Sequence, residues 1–119
     1  MSIKTIGVIG AGSMGSGIAQ VAACAGFQVI LSDIQEDFLT RGMGVIRKSL
    51  EKLSSKEKLD ESVETILNRF STTTRLEGLK DADLVFEVII ENMEKRKSCI
   101  GTLIRFVNLK QSFAPIHQD

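Results

Sequence analysis

Residues 3–33 read IKTIGVIGAGSMGSGIAQVAACAGFQVILSD. The opening residues 3–9 are β-branched and mostly apolar, the composition of a buried strand. GAGSMGSG follows, and then IAQVAACAG, an alanine-rich run that reads as a helix stopping at Gly26. FQVILSD reads as a second buried strand. Strand, glycine loop, helix and strand within about 30 residues make one βαβ unit.

Outward from that unit the pattern changes to a helical one. Leu39, Met43, Ile46, Leu50 and Leu53 step by three and four, an apolar stripe along one helix face, with Gly42 and Gly44 weakening the helix. KLSSKEK is a polar break. Asp60 is then the expected N-cap of a second helix whose stripe is Val63, Ile66, Leu67 and Phe70. STTTR is a short candidate strand, LEGLKDA a short helix or turn, and DLVFEVII a buried strand. ENMEKRKSCIGTL is expected to open another helix, with Met93 and Ile100 on its inner face. About four strands separated by helices predict an α/β fold. Its form is a Rossmann-type open parallel sheet with a helical pair inserted between strands 2 and 3.

The totals narrow the function. The 119 residues suffice for one domain, and 43% apolar with 25% charged content is ordinary for a soluble globular chain. Acidic and basic residues balance at 15 each, so nothing argues for a nucleic-acid partner. No apolar run approaches the roughly 20 residues of a membrane span, and MSIKTIGVIGAG does not read as a signal peptide. Cys24 and Cys99 form no CxxC, which fits a reduced, cytoplasmic setting. With one histidine they make no metal-ligand cluster.

Gly10–Gly15 fit G-x-G-x-x-G, set between a strand and a helix as that motif requires. Gly10 permits the tight turn, Gly12 leaves room for a pyrophosphate at the backbone, and Gly15 lets helix and strand pack closely. Ala11, Ser13 and Met14 complete the loop. The helix N-terminus adds free N–H groups and partial positive charge. Asp33 ends the second strand about 20 residues beyond the loop, where a carboxylate accepts hydrogen bonds from the adenosine ribose and repels a 2′-phosphate. NAD is therefore expected over NADP.

GAGSMGSGIAQVAACAGFQVILSDI, the helical insert and DADLVFEVIIEN together resemble the NAD-binding domain of the 3-hydroxyacyl-CoA dehydrogenase family, 3-hydroxybutyryl-CoA dehydrogenases included, over residues 3–100. The resemblance implies oxidation of a 3-hydroxyacyl-CoA to its 3-oxo form with hydride transfer to NAD, in fatty acid or butyrate metabolism. It implies that Gly10–Gly15 hold the pyrophosphate, Asp33 the ribose, and that Glu91 contacts NAD. Arg96, read as a further cofactor contact, stands where the family commonly has a lysine, keeping the charge with a different headgroup. Ser49 and Lys56 match residues that contact the CoA of the acyl-CoA substrate. Spacing agrees in part, since Ser49, Lys52 and Lys56 share one helix face. Glu87 lies near the C-terminal end of its strand, where open α/β sheets bind ligands, and could equally be structural. Two other readings stay open: a standalone NAD-binding module without catalysis, and another Rossmann dehydrogenase.

The same resemblance implies a catalytic histidine and its partner glutamate in a later domain, which also forms the dimer interface. His117 stands in no matching motif and is assigned no catalytic role. Codons compatible with residues 104–119, displaced by one base, can spell K-I-C-K-P-E-T-V-F-C-T-N-T-S-G, which has the proline turn, fifth strand and N-T-S expected there. The expectation is a frameshifted, truncated dehydrogenase. Residues 1–103 would be a partial NAD-binding domain, residues 104–119 a poorly packed tail or helix extension, and the catalytic domain absent. The sheet order should be 3-2-1-4 with the fourth strand at an open edge.

Overall fold

The computed structural model describes residues 3–92 and 100–107. Strand β1 spans Thr5–Ile9, helix α1 Ser13–Cys24 and β2 Gln28–Ser32. Helices α2 (Glu36–Ser55) and α3 (Val63–Leu67) then lead to β3 (Phe70–Thr73). A 3-10 turn at Leu76–Leu79 precedes β4 (Leu84–Asn92), and β5 is Ile100–Val107. The five strands of the described residues form one sheet in the order β3-β2-β1-β4-β5. The pairs β3·β2, β2·β1 and β1·β4 are parallel. The chain therefore builds outward in one direction from β1 and returns to add β4 on the other side. That reversal places a crevice at the carboxyl ends of β1 and β4.

Alternation along the strands divides two cores. Ile6 and Val8 of β1 and Val29 and Leu31 of β2 pack under the helices with Ala19, Ala23, Leu39, Ile46, Leu50 and Ile66. On the opposite face Ile9 and Ile30 pack with Leu79, Ala82 and Val85. Helix α1 buries only small residues, Gly15, Ser16, Ala19, Ala22 and Ala23, so it lies close to the sheet. It stops where the sequence predicts. Gly26 takes φ +104°, its N–H bonds the Ala23 carbonyl, and the Phe27 N–H bonds that of Ala22. The start of β1 is held by Asp83, whose Oδ2 accepts the N–H groups of Lys4 at 2.8 Å and Thr5 at 3.0 Å.

Helix α2 follows its predicted stripe, with Leu39, Ile46 and Leu50 buried and Met43 and Leu53 half-buried. Glu36 and Asp37 in its first turn and Lys52 in its last suit the helix dipole. It ends in a left-handed residue that is not glycine, Glu57, at φ 57°. The N–H groups of Glu57 and Lys58 close the helix onto Ser54 and Leu53 at 2.9 and 3.0 Å.

The second inserted helix is shorter than predicted, and its cap is Ser62 rather than Asp60. The Ser62 Oγ accepts the Thr65 N–H at 3.1 Å. Phe70, expected on the stripe of that helix, begins β3 instead. The reason lies outside the segment. The Arg69 carbonyl accepts the Val29 N–H at 2.9 Å, committing the chain to β2 at that point. The Arg69 guanidinium forks onto both oxygens of Glu61 and bonds the Ala23 carbonyl at the end of α1. This pairing holds the Glu61 carboxyl below its ordinary range, chiefly through the hydrogen bonds, and raises Arg69.

The largest departure is at the end of the described chain. The sequence predicts a helix from residue 91 and β4 at an open edge. Instead β4 runs through Asn92, and Ile100, expected on a helix, pairs with it at the head of β5. The pairing is antiparallel, from Asn92↔Ile100 to Val85↔Val107. Chain length explains the direction, because a parallel return needs a crossover of a dozen or more residues and only residues 93–99 are available. The boundary expected between residues 103 and 104 thus falls inside a strand. Met93 and residues 108–119, with His117, lie outside the described residues. Among the described residues, no helix is long and apolar enough to cross a membrane.

Candidate functional site

The glycine loop occupies the crevice at the reversal point. Directly after β1, Gly10 takes φ +107° and its N–H bonds the Ser32 carbonyl at 2.7 Å, tying the turn to the end of β2. A Cβ on Gly15 would stand 1.7 Å from the Gly10 carbonyl oxygen, so only glycine lets α1 begin this close to the turn. Gly12 is the N-cap of α1, and a Cβ there would meet nothing within 4 Å. Its position faces open space. No side chain caps α1 and its first turn holds no acidic residue, so its N-terminal positive end is not neutralised by its own residues.

Asp33 directly follows β2. Its Oδ2 accepts the Ala11 N–H at 2.9 Å and its Oδ1 the Gln35 N–H at 3.3 Å. A carboxylate offers about four acceptor sites, so two backbone bonds leave capacity for a pair of ribose hydroxyls. Ala11 is also held by its carbonyl, which accepts from the buried Ser16 hydroxyl at 2.9 Å. Gly42 of α2 sits directly behind this contact. A Cβ there would come within 2.9 Å of both the Ala11 carbonyl oxygen and the Ser16 Oγ. The residue that weakens α2 by composition is the one that lets α2 touch the loop.

Loop and helix enclose a cleft of about 560 Å³ lined by Gly10 through Ser16, Asp33, Phe38, Arg41, Gly42, Val45 and Val88. Gly10–Gly15 and Asp33, named from the sequence, are brought together here. Phe38, Arg41, Val45 and Val88 are additions. The first three, with Gly42, share one face of α2 by helical spacing. That face is legible as a face, but which way it points depends on how α2 docks.

The other candidates lie elsewhere. Ser49, further along α2, accepts a hydrogen bond from Gln20 Nε2 of α1 at 2.9 Å and is half-buried. Lys52 is exposed in the last turn of α2, and Lys56, also exposed, is its C-cap. None of the three lines the cleft. Glu87 is a half-buried β4 residue in register with Ile9. Glu91, read from the sequence as the start of a helix, lies in β4 opposite Gly101. Arg96 lies outside the described residues. On the far end of α1, burial raises the Cys24 thiol above its ordinary value, with Glu61 adding to the rise.

A glycine turn at the reversal point of a parallel sheet, an open helix N-terminus and a carboxylate at the end of β2 define a Rossmann-type dinucleotide-binding fold. Residues 5–113 match the family model of the 3-hydroxyacyl-CoA dehydrogenase NAD binding domain. The chain belongs to that family, and its cofactor is NAD. It is 56% identical over 101 residues to a probable 3-hydroxybutyryl-CoA dehydrogenase of Deinococcus radiodurans, covering 85% of this chain and 36% of the relative. It is 42% identical over 106 residues to a probable 3-hydroxybutyryl-CoA dehydrogenase of Bacillus subtilis, covering 88% of this chain and 37% of that one. Among solved structures, the (S)-3-hydroxybutyryl-CoA dehydrogenase of Ralstonia eutropha superposes with a TM-score of 0.72 at 38% identity, over 80% of this chain and 34% of that one. The chain thus spans about a third of the length of these relatives.

Proposed function

We propose that this chain binds NAD for the oxidation of a 3-hydroxyacyl-CoA to the 3-oxoacyl-CoA, a step of fatty acid or butyrate metabolism. The observation that carries the reading is the glycine loop held between Asp33 and α2 at the mouth of an open cleft. NAD supplies the hydride acceptor. In this reading the Gly10–Gly15 backbone and the N-terminus of α1 receive the pyrophosphate, and the free acceptor sites of Asp33 receive the adenosine ribose. Glu91 and Arg96 contact the cofactor, and Ser49 and Lys56 receive the CoA end of the substrate. The Gln20 bond to Ser49 supports that last role by fixing the hydroxyl on α2. The pairing of β5 with β4 through Val107 supports counting β5 in the NAD-binding unit. A free thiol at Cys24 suits a reducing compartment such as the cytoplasm.

Calorimetry with NAD and NADP tests the cofactor site. NAD should bind more tightly, and Asp33→Ala should weaken NAD and narrow the difference. Equal affinity for the two cofactors in the unmodified chain would remove the role given to Asp33. For the CoA end, Lys56→Ala should weaken binding of acetoacetyl-CoA and leave NAD affinity unchanged. An unchanged acetoacetyl-CoA affinity would remove Lys56 from the site.

A further inference from the structure

We propose that Arg41 is a phosphate-binding residue of the cleft, gripping the dinucleotide pyrophosphate from the α2 wall. The inference deepens the NAD reading above and rests on it. Arg41 and Asp33 are the charged side chains among the described residues lining the cleft. They do not neutralise one another. Asp33 is held in place by the N–H groups of Ala11 and Gln35 with acceptor sites left over, and Arg41 makes no ion pair among the described residues. The cleft therefore keeps a free guanidinium beside a glycine loop whose helix N-terminus has no acidic residue in its first turn.

Arg41 is also steered toward that position. Its Cζ lies 6.0 Å from the ring centroid of Phe38, three residues earlier on the same face of α2. Phe38 itself lines the cleft. A ring that itself lines the cleft, within cation–π reach, favours the rotamers that leave the guanidinium on the cleft side. A guanidinium presents paired donors that match two phosphate oxygens at once. An anion here would lie between those donors and the first-turn N–H groups of α1, both complementary to its charge, with the Asp33 carboxylate left to the ribose.

The test measures NAD, ADP and adenosine binding to the full chain carrying Arg41, Arg41→Gln or Arg41→Lys. Arg41 is exposed, so neither change disturbs the core. Arg41→Gln should weaken NAD and ADP alike by about tenfold, the worth of a charged hydrogen-bonded contact, and leave adenosine unchanged. The salt dependence of ADP binding should become shallower, and Arg41→Lys should recover part of the loss. Unaltered NAD and ADP affinity in Arg41→Gln overturns the assignment alone. An equal loss for adenosine moves Arg41 to the base and overturns it too. Failure of the unmodified chain to bind NAD overturns the cofactor reading, and this assignment with it.

Discussion

Gly42→Ala sets two opposing effects against each other inside α2. Alanine is favoured over glycine in a helix interior by about 1 kcal/mol. Gly44, two residues on, isolates that gain, since a Cβ there meets nothing within 4 Å. Gly44→Ala should therefore stabilise the protein by about 1 kcal/mol, roughly 4 °C in Tm for a domain of this size. At Gly42 the new Cβ would press to 2.9 Å on the Ala11 carbonyl oxygen and on Ser16 Oγ. The first is a backbone atom of a loop pinned through its own N–H by Asp33 and through this carbonyl by Ser16. It cannot yield as the end of a flexible side chain would. Overpacking of this kind costs about 1–3 kcal/mol, which cancels or exceeds the helix gain. The net result should lie between no change and a loss of about 2 kcal/mol, leaving the two variants about 1–3 kcal/mol apart. The displaced Ala11–Gly12 peptide should also weaken NAD binding in Gly42→Ala and not in Gly44→Ala. Thermal or urea unfolding and NAD calorimetry on both variants decide the matter. If Gly42→Ala is as stabilising as Gly44→Ala and binds NAD undiminished, the tight contact between α2 and the loop is refuted.

Gly15→Ala should abolish NAD binding in calorimetry, because the Cβ would overlap the Gly10 carbonyl at 1.7 Å and force α1 off the turn; retained affinity would contradict the loop geometry. Glu57→Gly should raise the urea midpoint by the equivalent of about 1 kcal/mol, since a side chain in the left-handed region carries a cost that glycine avoids. A lower midpoint would show that Glu57 makes compensating contacts. Glu61→Gln should lower Tm at pH 7 but converge with the unmodified protein in acid. Arg69 depresses the Glu61 carboxyl, so the stability it contributes is complete above the ordinary glutamate value of 4.5 and is lost as pH falls through the lowered one. A Tm difference that stays constant from pH 7 to below about 3 would rule out the linkage.

Much of the fold is legible because it rests on neighbouring residues. The alternation and β-branching of β1 and β2, the stop at Gly26 and the stripe from Leu39 to Leu50 all lie where the periodicities put them. Local signals fail where a distant contact overrules them. Asp60 is a good cap by type, yet Ser62 caps α3, with Glu61 just before it bonded to the Arg69 guanidinium, and pairing of Arg69 with β2 stops the helix short of Phe70. Residues 91–103 have helical composition, yet Ile100–Val107 form a strand because the exposed edge of β4 supplies backbone partners. In the site, Phe38, Arg41 and Val45 could be grouped by spacing but not aimed.

The βαβ unit, the glycine turn and the carboxylate that follows β2 are written in residues 3–33 alone. These depend on steric and periodic rules that act within a few residues. Docking of the elements adds that Asp33 clamps the loop at Ala11, that Gly42 is a contact surface, that Arg41 lines the cleft, and that β5 pairs antiparallel with β4. Each of these sets residues distant in the chain within bonding or van der Waals distance, and no local pattern encodes such an approach before the elements dock.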